Sequence, residues 1–201
     1  MTITTHLAHT RQQPRGLFID RWGTLLERPS RGYAKRPAEV AFLPDTLDAL
    51  YRASRLGWTI YLIGNEEQVG LGEMTEAAWR KVETHIEAVL ADHGVPVTRS
   101  YACLDHPKGK RGFDQPSVFR LPETGIFYHA EHNDGIELAK SWVIGDSTIE
   151  LGAAWRAELR TMGVRSGEAV LDGNLHVDPD LMAADLPAAI AALSRAQAEA
   201  A

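Results

Sequence analysis

The chain has 201 residues, of which 44% are hydrophobic, and a formal net charge of −6 at pH 7. This length suits one domain with a substantial core, the acidic balance argues against nucleic acid as a partner, and no apolar run approaches the roughly 20 residues of a membrane helix. The single cysteine, Cys103, excludes an internal disulfide and fits a reducing compartment, so we expect a cytoplasmic protein with no membrane partner.

Strand and helix patterns alternate along the chain, which predicts a five-stranded, mainly parallel sheet with helices on both faces. Residues 1–15 are expected to form a flexible tail and residues 16–201 a single domain. The first elements are a strand over Gly16–Asp20, a helix from Asp45, a strand over Trp58–Ile63 and a helix from Thr75 to Gly94. The following elements are a strand over Arg99–Leu104, a loop over Asp105–Pro122, a helix over Glu123–Leu138, a strand over Ser141–Ile144, a helix from Ser147 to Glu158, a strand over Leu159–Val164 and a helix from Pro187.

Two aspartates follow predicted strands that are far apart in the sequence. Asp20 ends the first strand, and Asp146 follows the fourth. Ligands of such sheets bind beyond the carboxyl ends of the strands, and paired carboxylates there suit Mg²⁺. Because a single aspartate at a strand end is more often a helix cap, the prediction of a metal site depends on both residues together.

The motifs around these aspartates resemble those of haloacid dehalogenase-type (HAD) phosphatases. FIDRWGTLLE is similar to the first motif of that superfamily, in which an aspartate, any residue and a second aspartate precede Gly-Thr. YAKRPAEVAFLPDTLDAL, GNEEQVGLGEMTE, RLPETG and SWVIGDSTIELGAA resemble, in order and spacing, the capless branch that contains heptose-bisphosphate and histidinol-phosphate phosphatases. The resemblance runs from Gly16 to Leu193 and implies a three-layer α/β Rossmannoid fold without a large cap domain.

The resemblance also implies roles for individual residues. In the family the first aspartate attacks phosphorus, and the second protonates the leaving alcohol and then activates water. Asp20 matches the nucleophile, whereas Trp22 stands at the acid/base position and has no titratable group. The metal ligands implied are the carboxylates of Asp20 and Asp146 and the backbone carbonyl of Trp22, which the change of side chain leaves in place. Mg²⁺ is therefore the expected cofactor.

Further family positions have diverged. Gly64 replaces the threonine of the second motif, and Leu121 replaces the lysine of the third. Asn65 and Arg120 match family positions and are expected to bind the substrate. Phosphoryl transfer depends on donors and positive charge around the transferred group, so these losses predict weakened chemistry.

The long loop holds two further sets of candidates. Lys108 and Lys110 are open alternatives to the missing lysine, although no family motif supports them. Cys103 and His106 match part of a zinc loop, but two ligands do not build a closed tetrahedral site, so zinc is not expected.

Three functions remain open. The first is a phosphohydrolase of weak or altered activity that acts on a small phosphorylated metabolite. The alternative is a catalytically inactive pseudophosphatase that serves as a binding or regulatory module, with Trp22 as an apolar plug in the former phosphate pocket. An Asp20 that attacks carbon ranks last, because relatives with that chemistry normally keep a lysine or a cap residue. A monomer is the default expectation.

Overall fold

A six-stranded parallel sheet forms the centre of the computed structural model, which describes residues 13–110 and 112–200, without the side chains of 197–200. The strands are β1 (Arg15–Asp20), β2 (Trp58–Asn65), β3 (Val97–Cys103), β4 (Trp142–Gly145), β5 (Arg160–Val164) and β6 (Leu181–Ala183). The helices are α1 (Thr46–Arg55), α2 (Glu67–Gly70), α3 (Glu76–Asp92), α4 (Gly125–Asp134), α5 (Thr148–Arg156) and α6 (Leu186–Ala200). The strand order is β3-β2-β1-β4-β5-β6.

Side chains of the central strand alternate between two hydrophobic layers, as the period of two in a strand requires. Leu17 and Ile19 of β1 belong to a core cluster that also contains residues of α1, α3 and α6. Phe18 points to the opposite face, into a second cluster with residues of α4 and α5. The three-layer α/β arrangement expected from the sequence is therefore confirmed.

The sheet differs from the prediction in one strand. The prediction of five strands misses β6, which pairs in parallel with β5 at the sheet edge. β6 has only three residues, and none of them is fully buried, so it lacks the apolar run that identifies a central strand.

Several element boundaries also differ from their predictions. α4 ends at Asp134, before Leu138, because Gly135 adopts a left-handed conformation (φ = 68°) that closes the helix. The short helix α2 has no counterpart in the prediction. β1 begins at Arg15, within the predicted tail, and residues 1–12 of that tail lie outside the described residues.

The strand order brings the site to the middle of the sheet. Successive strands run outward from β1 in one direction to β3 and, after the chain returns to β4, in the other direction to β6. The carboxyl ends of β1 and β4 therefore flank the crevice at which such sheets bind ligands. No helix in the described part of the chain has the length and apolarity needed to cross a membrane.

Candidate functional site

The two predicted aspartates meet at the carboxyl ends of β1 and β4. Asp20 is the last residue of β1, and Asp146 directly follows β4, whose Ile144 pairs with Ile19 of β1. Oxygen atoms of Asp20, Asp146 and Glu150 all lie within 4.8 Å of one another. The structure thus joins three carboxylates whose sequence positions are up to 130 residues apart.

Close backbone packing holds the Asp146 carboxylate in place. The backbone N–H of Glu168 donates a hydrogen bond of 2.7 Å to Oδ2 of Asp146. Gly23 (φ = 96°) and Gly167 (φ = 69°) pack so tightly against this carboxylate that a Cβ at either position would overlap it. Oδ1 of Asp146 is buried and has no hydrogen-bond partner, so this oxygen is free to bind a ligand of the site.

Glu150 links the carboxylate cluster to the start of α5. Its Oε1 accepts a hydrogen bond of 2.6 Å from the backbone N–H of Ser147, which completes a capping box at the helix N-terminus. Burial, together with the nearby Asp146 carboxylate, raises the pKa of Glu150 to about 7, despite hydrogen bonds from Ser147 that oppose the shift. Burial and repulsion by Glu150 and Asp146 also raise the pKa of Asp20 well above its ordinary value.

This donor set fits a hard divalent cation. Three carboxylates crowd together, one buried carboxylate oxygen lacks a partner, and the charges of Glu150 and Asp146 add to burial in raising the pKa of Asp20. A cation among these oxygens would remove the repulsion, and oxygen ligands are those that Mg²⁺ prefers. The Trp22 carbonyl, the third metal ligand implied by the resemblance, accepts a hydrogen bond of 3.1 Å from Arg28.

The indole of Trp22 turns away from solvent and packs into the hydrophobic core, with 7% of the residue exposed. Its Nε1–H lies between the two carboxylate oxygens of Glu66, at 3.3 and 3.2 Å. Trp22 is therefore a buried hydrogen-bond donor that packs within the core, and the residue two positions after Asp20 has no titratable group.

Glu66 is the centre of a buried polar network beneath Trp22. It also accepts a hydrogen bond of 2.7 Å from Gln68, and the guanidinium of Arg21 lies 3.8 Å away. Arg21 is fully buried and donates to the Tyr101 carbonyl and to the hydroxyl of Ser100 on β3. Burial raises the pKa of Glu66, while Arg21, Gln68 and Trp22 favour its anionic form.

Asn65, a predicted substrate ligand, connects β2 to the loop that carries Leu121. Its Nδ2 donates to the Leu121 carbonyl at 2.8 Å, and its Oδ1 accepts from the Leu121 N–H at 2.9 Å. The side chain of Leu121 is buried in the second core cluster. Gly64 borders the cavity near Asp20, where an added Cβ would lie 3.7 Å from both Asp20 Oδ1 and Glu66 Oε1.

Arg120, the second predicted substrate ligand, forms an ion pair with Glu67. Its Nη1 is buried without a hydrogen-bond partner. His106 also approaches Glu67, at 3.7 Å, and Cys103 is buried at the end of β3 with its pKa raised by burial. Arg120, His106 and Cys103 do not belong to the carboxylate cluster and do not line the cavity over Asp20.

A cavity of about 390 Å³ opens over Asp20. The charged residues that line it are Asp20, Glu67, Glu73, Glu150, Glu168, Arg28 and Arg31. Among the described residues, neither Lys108 nor Lys110 lines this cavity, so its positive charge comes from two arginines. The excess of carboxylates makes the cavity better suited to cations than to an isolated phosphate group.

Arg28 and Glu168 are absent from the sequence-based predictions, yet both touch the cluster. Arg28 lies in the loop after β1, eight residues beyond Asp20, and Glu168 lies in the loop after β5. A basic residue shortly after the first motif could have identified Arg28. No comparable signal marks Glu168, because its position depends on the path of its loop.

Comparisons with known proteins identify related sequences and folds. The chain is 30% identical over 180 residues to D-glycero-beta-D-manno-heptose-1,7-bisphosphate 7-phosphatase of Yersinia pestis, covering 88% of this chain and 95% of the relative. It is 29% identical over 156 residues to the protein of the same name from Escherichia coli (strain K12), covering 77% and 81% of the two chains. None of the protein-family models matches the chain.

Solved structures share the fold. D,D-heptose 1.7-bisphosphate phosphatase from B. bronchiseptica, complexed with magnesium and phosphate, has a TM-score of 0.78 at 24% identity, covering 90% of this chain and 99% of that one. A putative HAD-like phosphatase from Mesorhizobium loti has a TM-score of 0.74 at 26% identity, covering 90% and 88%.

Proposed function

Because the chain belongs to the family of D-glycero-beta-D-manno-heptose-1,7-bisphosphate 7-phosphatases within the HAD superfamily, we propose that it is a magnesium-dependent phosphoric monoester hydrolase of weak, altered activity. Its substrate would be a small phosphorylated metabolite. The observation that carries this proposal is the convergence of Asp20, Asp146 and Glu150, together with the buried indole of Trp22 at the position where the family resemblance implies an acid/base.

Asp20 is the proposed nucleophile. One of its carboxylate oxygens attacks phosphorus, the bond between phosphorus and the ester oxygen breaks, and an aspartyl-phosphate forms. Asp20, Asp146 and the Trp22 carbonyl would hold Mg²⁺, which supplies positive charge to the phosphoryl oxygens when bound. The proposed nucleophile and metal ligands of the first half of the reaction are therefore present.

Trp22 determines how the reaction is weakened. In the first half, the departing alcohol must take its proton from water, because an indole N–H that donates to Glu66 does not protonate it. In the second half, no side chain at this position activates the water that cleaves the aspartyl-phosphate. A positioned acid/base typically contributes about 10²- to 10⁴-fold. We therefore expect poor leaving groups, such as sugar alcohols, to be released slowly and the aspartyl-phosphate to persist.

The test compares substrates with good and poor leaving groups in the presence of Mg²⁺. We expect an aryl phosphate to be hydrolysed measurably and sugar phosphates far more slowly, with phosphate trapped on Asp20 in intact-protein mass spectra. Asp20→Asn should abolish both signals. Asp92→Asn, which changes an exposed carboxylate at the end of α3, is the matched control and should retain them.

A second candidate, a pseudophosphatase that binds ligands without turnover, is favoured by the surroundings of residues 120 and 121. Arg120 forms an ion pair with Glu67, and Leu121 is buried and uncharged, so this segment directs no free cation at a phosphate. Retained Mn²⁺ binding with neither turnover nor phosphorylation of Asp20 would exclude the hydrolase and support this candidate.

A further inference from the structure

Arg28 contacts the groups that are expected to hold the metal. Its Nη2 donates to the Trp22 carbonyl at 3.1 Å and lies 3.5 Å from Oδ2 of Asp146. Its Nη1 pairs with the carboxylate of Glu168. The guanidinium thus reaches two of the three proposed metal ligands, although Arg28 itself does not belong to any of the recognised motifs.

We propose that Arg28 is a tethered counter-cation, whose guanidinium a divalent ion must displace from the Trp22 carbonyl and Asp146 in order to bind. This inference rests on the metal site proposed above and concerns its regulation. In the metal-free protein, Arg28 offsets the negative charge of the cluster. In the metal-bound protein, the ion takes over that role.

The surroundings of the Asp146 carboxylate support a competition between Arg28 and a divalent ion. Its side chain is 1% exposed, Oδ2 already faces the Glu168 N–H and Arg28, and Oδ1 is buried without a partner. An ion on Oδ1 would therefore share one carboxylate with the guanidinium. Two cations that share one carboxylate repel each other strongly in a poorly solvated site, so binding of one weakens binding of the other.

Glu168 provides the tether. Its backbone N–H fixes Oδ2 of Asp146, and its carboxylate holds the other end of the Arg28 guanidinium. The Arg28 side chain is 34% exposed, so it has space to swing from Asp146 toward solvent while it keeps its contact with Glu168. The displaced arginine consequently stays at the mouth of the cavity.

The experiment measures Mn²⁺ binding by electron paramagnetic resonance and thermal unfolding in EDTA, with no turnover assay. Arg28→Gln keeps side-chain length and removes the charge. Arg31→Gln is the matched control, because Arg31 lines the same cavity but pairs with Glu39 at 2.8 Å. We expect Arg28→Gln to tighten Mn²⁺ binding by about tenfold or more, a typical coupling between competing ligands, and Arg31→Gln to change it little.

Unfolding supplies the second readout. In EDTA, Arg28→Gln should unfold at a lower temperature than the wild type, because the carboxylate cluster loses its counter-cation, and saturating Mn²⁺ should close this gap. Unchanged or weaker Mn²⁺ binding by Arg28→Gln, or an unchanged unfolding temperature in EDTA, overturns the inference. Failure of the hydrolase proposal appears separately, as absent turnover and phosphorylation in a protein that still shows the predicted shift in Mn²⁺ affinity.

Discussion

Trp22 and Glu66 contact each other, so we expect that substituting both residues together can introduce an acid/base two residues after Asp20. Replacing Trp22 alone with aspartate would place a second carboxylate beside a buried one. The double variant Trp22→Asp/Glu66→Gln removes the charge of Glu66, and a glutamine amide can donate a hydrogen bond into the space that the indole leaves. We expect this double variant to hydrolyse sugar phosphates faster than the wild type.

The double variant should lose folding stability and gain turnover. Trp22 is 93% buried in the core cluster and donates to Glu66, so its truncation is expected to destabilise the fold by about 3–5 kcal/mol. Small domains have free energies of unfolding of about 5–15 kcal/mol, so the variant should fold with reduced stability. A restored acid/base should raise turnover by about 10²- to 10⁴-fold.

The control is Trp22→Asn/Glu66→Gln, which loses the same indole but has no titratable group at position 22. Both double variants should have similar unfolding temperatures. The assay measures turnover of a sugar phosphate and of an aryl phosphate by each. The aspartate variant should exceed the asparagine variant most with the sugar phosphate, because a poor leaving group needs protonation more than an aryl alcohol does.

Equal turnover by the two folded variants on the sugar phosphate would refute the reasoning. It would mean that Trp22 does not occupy the acid/base position, or that the changes at Gly64 and Leu121 limit the reaction first. Adding Gly64→Thr and Leu121→Lys to the aspartate variant separates these two explanations, since only the second predicts a gain.

Two further predictions concern stability. The pKa of Glu150 is raised to about 7 from an ordinary 4.5, so its contribution to folding is fully present below about pH 4.5 and is lost as the pH rises through 7. Metal-free protein should therefore unfold at a lower temperature at pH 8 than at pH 5.5, and Glu150→Gln, which keeps the capping box, should reduce this difference. Asp134 has a pKa lowered by its hydrogen bonds from Arg99, at 2.8 and 2.7 Å, so its contribution is present above its ordinary pKa of 3.8 and is lost as the pH falls further. Chemical denaturation should show Asp134→Asn less stable by about 1–3 kcal/mol at pH 7 and the difference reduced at pH 3, whereas equal stability at pH 7 would contradict the structural role of this ion pair.

Much of the fold was predictable because it depends on local patterns. Apolar runs at the central strands and the helical spacing of five apolar residues in α3 appear directly in the sequence. These residues are Trp79, Val82, Ile86, Val89 and Leu90, and all except the half-buried Val89 are buried. The edge strand β6 was missed because three partly exposed residues carry no such pattern. The early end of α4 depends on the conformation of one glycine.

The candidate site was predictable in its position and less so in its contacts. The sequence places Asp20 and Asp146 at strand ends, and parallel pairing then brings them to one edge of the sheet. The family resemblance implies that Trp22, Gly64 and Leu121 stand at positions where relatives have other residues. The metal-binding roles of Asp20, Asp146 and the Trp22 carbonyl stay predictions. The substrate-binding roles of Asn65 and Arg120 also stay predictions.

The sequence by itself determined the α/β class, the family and the presence of an indole two residues after Asp20, because these depend on residue types and their spacing. Only the tertiary structure decided where Trp22 points, that Glu66 accepts its N–H, and that Arg28 and Glu168 reach Asp146. The contact between Arg28 and Glu168 joins loops that are 140 residues apart, and a side-chain contact across such a distance is set by the paths of both loops. Residue spacing along the chain carries no record of those paths.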